Sequence, residues 1–360
     1  MCFRSGIRVW RLVFCVVVAL IAIPRGGAVA QITIEQAAKT LDGLSDRTRL
    51  ERLETAARKE GRIRWAATTN LGYAQPVMNG FKKKYPSIEV EFDRVSGRVL
   101  TDRIVREYRA KQYNVDILGT SSITSLAVKE AGVVGSYKSP ETGDMNSSIK
   151  DPNGFWVTHY VHVLGIVCNK SRLKTAVKEW KDFLDPKWKG DFSIDPERFQ
   201  WFHALRGIYG DEEAKKLITG YVQNGAQIRR GGTLQVQLVA AGEYACALGI
   251  YLGSAYPTLK TGAPLAFFAP EPILLSPDIQ MIAKYPPHPY AAILFYDYLL
   301  STEGLSHLTR NSALYPTRPN LVTVPEIKAL QGKPIHFIDV EDQSRNFEKN
   351  REMYLSLLKK

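Results

Sequence analysis

The chain has 360 residues and a formal net charge of +12 at pH 7, with 45% hydrophobic and 23% charged residues. That composition excludes a disordered or collagen-like chain, and the length allows two domains, each with its own core. The basic excess is spread along the sequence in no tract, which argues against a nucleic-acid partner and only weakly for an anionic ligand or membrane surface.

Residues 1–30 read as an export signal. Arg4, Arg8 and Arg11 form a basic head, Leu12 to Ile23 is an apolar run too short for a comfortable span, and Ala28-Val29-Ala30 is a small-x-small site that puts cleavage between Ala30 and Gln31. The product is expected to be exported, periplasmic and soluble. Cys2 and Cys15 leave with the signal. Cys168 and Cys246 remain, and the sequence leaves open whether they are joined or stay as buried thiols.

Thr33 to Gly61 reads as two helices forming an N-terminal appendage (31–61), the second capped by Asp46 and ended by Gly61. Strands and helices then alternate. Ile63 to Ala67 is a strand leaving through Thr68-Thr69-Asn70, and a helix follows through Val77 and Phe81 until Pro86. Ile88 to Phe92 is a half-exposed strand, followed by Ser96-Gly97 and a helix with Leu100 and Ile104. Val115 to Leu118 is a buried strand that turns through Gly119-Thr120-Ser121-Ser122 into a helix ending at Gly132. Strands alternating with helices predict parallel pairing, and in such sheets ligands lie beyond the carboxyl ends of the strands. Three such ends are small and rich in hydroxyls or amides: Thr68-Thr69-Asn70, Ser96-Gly97 and Thr120-Ser121-Ser122. They suit a polar or anionic ligand held by main-chain N–H groups.

Phe155 to Asn169 is an extended run long enough to pass from one domain to the next, with His159, Tyr160 and His162 near the crossing. Further on come helices at Phe199–Tyr209 and Asp211–Gln223. Arg229-Arg230-Gly231-Gly232-Thr233 opens another helix and reads as a second anion-holding start. Tyr244 to Tyr251 is a strand, Ala263 to Ala269 is a strand expected to return to the first domain, and Ile279 to Ala283 is another. Helices at 289–301 and 303–309, an extended 335–339 and a terminal helix near 347–358 close the chain. Neither a metal-spaced Cys/His cluster nor a cofactor fingerprint occurs, and no nucleophile elbow or zinc-protease motif appears.

Several phrases together resemble a known family. Trp180-Lys-Asp-Phe-Leu-Asp-Pro-Lys-Trp-Lys-Gly190 resembles the W-x-D-L-x-D-P-K-W-K-G segment of bacterial extracellular solute-binding proteins, the capture components of ABC importers. Phe81-Lys-Lys-Lys-Tyr-Pro-Ser-Ile-Glu-Val90, Val115-Asp-Ile-Leu118, Gly165-Ile-Val-Cys-Asn-Lys170 (with Cys168 where Tyr is usual) and Tyr315-Pro-Thr-Arg318 follow in the same order. The branch that contains ferric-iron-binding proteins is the most similar.

The resemblance implies a type II periplasmic-binding fold: two α/β lobes, each a sheet flanked by helices, joined by extended hinge strands. Lobe 1 would comprise 62–160 and 269–320, lobe 2 161–268, with a C-terminal extension, 321–360, packing on lobe 1. It implies a monomer that closes on one ligand, needs no cofactor and delivers its cargo to a membrane permease. The iron binders carry an adjacent tyrosine pair where this chain reads Gly249-Ile-Tyr-Leu-Gly-Ser-Ala-Tyr256, so Tyr251 and Tyr256 would have to serve. A small anionic or polar solute is therefore expected ahead of iron, and an exported hydrolase is the remaining alternative. The expected ligand-binding set is Thr68, Thr69, Asn70, Ser96, Gly97, Thr120, Ser121, Ser122, Tyr160, Arg229, Tyr251 and Tyr256.

Overall fold

The computed structural model describes residues 31–359; the expected signal and its last residue, Ala30, lie outside them. Within the described residues one sheet is built from β1 (Arg62–Ala67), β2 (Glu89–Arg94), β3 (Ile117–Ser121), β4 (Val157–Asn169), β5 (Phe192–Ile194), β6 (Gln227–Ile228), β7 (Cys246–Tyr251), β8 (Leu265–Phe268), β9 (Ile273–Ile282), β10 (Leu314–Tyr315) and β11 (Ile335–Phe337). The order is β2-β1-β3-β9-β4-β7-β5-β6, with β8 and β10 on β4 and β11 on β9. β1 pairs in parallel with β2 and β3, and β5 in parallel with β6 and β7. The two long strands β4 and β9 run antiparallel to each other between these parallel sets. They are the hinge strands, and each passes from one lobe to the other.

Two large cores divide along β4. Trp65, Phe81, Ile117, Val157, Tyr160 and Phe295 belong to the first, and Leu164, Cys168, Trp180, Trp188, Phe192 and Trp201 to the second. A smaller cluster, with Val161, Val163, Leu252, Ile273 and Leu275, packs on the hinge strands themselves.

The elements differ from expectation in four places. β9 is one strand from Ile273, where the sequence suggested only Ile279 onward, because Ser276-Pro277-Asp278 looks like a break. Pro277 falls between the register of β11 (273–275) and that of β3 (278–282), where this edge of β9 has no ladder partner, so the missing N–H is tolerated. The segment expected to return to lobe 1 at Ala263–Ala269 is instead β8, which pairs with Ile166–Asn169 of β4; β9 makes the return. Ser45, not Asp46, caps the helix Asp46–Glu60 by accepting from the Thr48 N–H, while Gly61 ends it with φ of 69°. The C-terminal extension does not stay on lobe 1: Tyr354 and Leu357 are part of the second core.

Cys168 and Cys246 face each other on β4 and β7 and are joined in a disulfide.

Candidate functional site

The carboxyl ends of the parallel strands from both lobes open on one cleft, beside the middle of the hinge strands. It encloses about 540 Å³ and is lined from lobe 1 by Thr68, Asn70, Tyr73 and Ser121. Gln200, Thr233, Gln237, Tyr251, Gly253 and Ser254 line it from lobe 2, and Tyr160, His162, Ser276 and Asp278 form its floor. That volume suits a metabolite-sized guest.

Each side chain is placed by a strand end or a helix start. Gly97 lies where three lobe 1 segments meet: a methyl group there would touch Thr124 and stand 3.6 Å from both Thr68 and Thr120. Ser121, Asp278 and Tyr160 form one row across β3, β9 and β4. In lobe 2, β5 leads through Asp195 and Arg198 into the helix Phe199–Tyr209, β6 leads through Gly231 into Gly232–Ala241, and β7 leads through Tyr251 into Leu252–Lys260.

These helix starts are open. Neither Ser96 before Gly97–Arg109 nor Ser121 before Ser122–Glu130 makes a side-chain cap bond. The same holds for Arg198, Gly231 and Tyr251 in lobe 2. Apart from the Gly231 N–H, which donates to Asp195 at 3.1 Å, their first N–H groups are left free of a capping side chain, and each helix adds partial positive charge at its start. Asn70 is the exception, accepting from the Gly72 N–H at 2.9 Å.

A ladder of rings crosses the floor. Tyr73 meets Tyr160 at 5.9 Å, Tyr160 meets His162 at 5.3 Å, and His162 meets Tyr251 at 4.7 Å between centroids. The Arg198 guanidinium lies 4.5 Å from the Tyr251 ring centroid, a cation–π contact, and 3.5 Å from Asp195. The Tyr251 and Ser276 hydroxyls are 3.4 Å apart.

Burial keeps the floor uncharged. It pushes Asp278 up to about 8, against a hydrogen bond with Tyr160 that lowers it. It raises the phenols of Tyr73 and Tyr160, and brings His162 down to about 4, helped by Arg198. Several buried polar atoms around the cleft have no protein partner: Thr68 Oγ1, His162 Nδ1, Arg198 Nε, Gln200 Oε1 and Asp278 Oδ1. Buried polar atoms are nearly always bonded, so unpaired donors and acceptors gathered at one hollow mark a place for a polar guest or water.

Of the expected residues, Thr68, Asn70, Ser121, Tyr160 and Tyr251 line this cleft, and Gly97 lines an adjoining hollow that shares Ser121 and Gln200 with it. The others are placed elsewhere. Thr69 is buried against the Tyr160 phenol. Thr120 is buried and bonded to Thr124, and Ser122 is buried and bonded to Gln343. Alternation along β3 turns Thr120 away from the face that Ser121 presents, and Ser122 opens the following helix. Ser96 is exposed beside Gly97. Arg229 is exposed and bonds its own turn through Ile228 and Gln227. Tyr256 packs on the hinge cluster with the Lys260 ammonium 5.6 Å from its ring centroid, so it does not join Tyr251 in the cleft. The residues sequence reasoning missed are Tyr73, His162, Arg198, Gln200 and Asp278. Arg198 carried a faint signal, as a cation three residues after the strand-ending Asp195.

A family model for bacterial extracellular solute-binding proteins matches residues 120–346. The chain belongs to that family. As a solute-binding protein it is similar to a Haemophilus influenzae protein described only as uncharacterized, at 26% identity over 265 residues, covering 69% of this chain and 75% of that one. Among solved structures, the fold is shared with the Trichodesmium protein IdiA (FutA) in complex with iron and citrate. The TM-score there is 0.71 and the identity 19%, over 82% of this chain and 99% of the other. It is also shared with periplasmic AfuA of Actinobacillus pleuropneumoniae with fructose-6-phosphate bound, at a TM-score of 0.69 and 20% identity, over 83% and 99%. Two-lobe binding proteins are therefore the structural kin of this solute-binding protein.

Proposed function

We propose that this chain captures a small organic anion in the periplasm by closing its two lobes over the cleft, and presents the closed state to the membrane permease of an ABC importer. The observation that carries the reading is the convergence of four helix starts, at Ser121 of lobe 1 and at Arg198, Gly231 and Tyr251 of lobe 2, on one cleft with an uncharged floor. Such a site replaces the hydration of an anion by fixed N–H groups and hydroxyls, and the helix starts supply the positive potential. Arg198 adds a full charge beside Tyr251. Ser121, Asn70 and Thr68 would hold the guest from lobe 1, and Gln200, Thr233 and Tyr251 would close from lobe 2.

The two structural kin described above hold iron with citrate in one case and fructose-6-phosphate in the other, and iron-bound HitA of Pseudomonas aeruginosa shares the fold as well. A hydroxycarboxylate or a phosphate ester is the class that suits this cleft, since both offer several oxygens to N–H and O–H donors. Ferric iron alone suits it less. The raised phenols of Tyr73 and Tyr160 resist becoming phenolates, and Tyr256 is turned to the hinge.

Mass spectrometry of small molecules released from natively purified protein, followed by calorimetric titration with citrate, inorganic phosphate and fructose-6-phosphate, tests the reading. Saturable, one-to-one heat with an organic anion supports it. A folded protein that binds none of these but develops a visible phenolate-to-metal band with Fe(III) overturns it.

A further inference from the structure

Beyond the hinge strands, the chain crosses between the two cores twice more: from Ile338, buried in the second core, to Val340 on lobe 1, and then back to lobe 2. The helix Val340–Arg345 is bedded on lobe 1. Val340 is buried in a cluster with Val128, Trp156 and Ile279. The Gln343 amide oxygen accepts from the Ser122 hydroxyl, Ser344 Oγ donates to the Ile123 carbonyl at 2.8 Å, and Glu341 pairs with Lys129 at 2.6 Å. The helix Phe347–Leu357 is bedded on lobe 2. Tyr354 is fully buried against Phe202, with ring centroids 5.6 Å apart, and donates to the Asp195 carbonyl at 2.9 Å. Asn350, also buried, bonds His203 Nδ1 at 2.8 Å and the Arg206 guanidinium.

Between these anchors the path turns at Asn346, whose backbone leaves the helix (φ −97°, ψ 14°) and whose amide reaches back to Asp342. The turn borders the hollow that adjoins the cleft. Arg345, Phe347, Glu348 and Lys349 wall a hollow of about 820 Å³ that also touches Gly97 and Thr124 of lobe 1 and Phe199 of lobe 2. Arg98 of lobe 1 crosses to it, 2.9 Å from Glu348 and 6.0 Å from the Phe347 ring centroid, while Phe347 meets Phe199 at 5.1 Å. The match to the family model ends at residue 346, so the half of this crossing that sits on lobe 2 lies beyond what that model describes.

We propose that residues 339–357 are a strap of fixed length between the lobes that limits how far the cleft opens, with Arg98–Glu348 as its latch. Both ends are held by buried side chains, so they release only if a lobe unfolds. Any separation of the lobes must then be taken up at Asp339 and by the few residues around Asn346. The latch is exposed on both sides and screened, so it biases the equilibrium only slightly, while the strap sets its limit. The proposal rests on the lobe-closure reading above, but its test needs no ligand, so failure to find an anion does not bear on it.

Spin labels at Lys83→Cys in lobe 1 and Lys216→Cys in lobe 2, both exposed positions, report the lobe separation by pulsed electron resonance in ligand-free protein. Inserting Gly-Ser-Gly after Ile338 and again after Asn346 lengthens both crossings while keeping every anchor. The expected result is a distance distribution extending further out, by at most about 10 Å at the ~3.3–3.6 Å that an extended residue spans. Arg98→Gln should shift it in the same direction by less, and Arg98→Glu combined with Glu348→Arg should restore it. An unchanged distribution in the insertion variant, at a native unfolding midpoint, overturns the strap. Should the insertion fail to fold, a single glycine at the same places takes its role, with an extension of about 3.5 Å expected; an unchanged distribution there overturns the strap, and an unchanged distribution in Arg98→Gln overturns the latch.

Discussion

Arg198 and Asp278 define the electrostatics of the cleft between them. Arg198 keeps its charge close to the Tyr251 face, and Asp195 beside it also accepts from the Glu197 and Gly231 N–H groups. Removing the guanidinium therefore leaves Asp195 bonded and the lobe intact. Arg198→Gln is expected to weaken binding of an organic anion about tenfold, ~1.4 kcal/mol, in calorimetric titration, with the unfolding midpoint nearly unchanged. Asp278 works through its proton. Its folded value of about 8 lies above the ordinary carboxylate range, so between roughly pH 4 and 8 the native state holds a proton that the unfolded chain has lost. Its contribution to stability is present at the acid end and declines as pH rises through about 8. Above that point a carboxylate appears on the cleft floor and repels an anion. Affinity for citrate should fall from pH 7 to pH 9 in the native protein and stay flat in Asp278→Asn. Affinity that climbs with pH, as for a metal taking phenolates, would sink the anion reading.

At the scale of elements, the strand ends beyond β1 and β3 were legible because a small, hydroxyl-rich turn after a buried strand has few other uses. Gly97, Thr68 and Thr120 do converge, as the shared surroundings of Gly97 show. Which hydroxyl faces the guest was not legible, since that depends on the pleat and on what covers the other face: Ser122 is taken by Gln343, from a helix more than 200 residues away. The cysteine pair has the same character. A separation of 78 residues says nothing about pairing, whereas the register of β4 against β7 sets the two residues directly opposite. Closing a loop of that length constrains the unfolded chain, so reduction, or paired Cys168→Ala and Cys246→Ala, should cost about 2–4 kcal/mol in urea unfolding. Equal midpoints with and without reductant would show that the bridge contributes nothing to stability.

At the scale of the whole molecule, closure needs close approach. Tyr73 of lobe 1 comes so near Gly253 of lobe 2 that a methyl group there would lie 2.7 Å from the phenol oxygen. Gly253→Ala is expected to hold the lobes apart and weaken ligand binding several-fold, and Tyr73→Phe added to it should recover most of the loss by removing the oxygen. If the double variant binds no better than Gly253→Ala alone, the contact is not what limits closure. The α/β class, the two-lobe organisation and the long crossing at Phe155 to Asn169 were set by the chain itself, because alternating strand and helix periods and apolar runs are local properties that survive in a string of letters. The floor of the cleft, the pairing of the cysteines, the packing of Tyr256 on the hinge cluster and the final helix on lobe 2 were decided only in three dimensions. Each depends on sheet register and on contacts between residues far apart in sequence, for which a single chain carries no local signal.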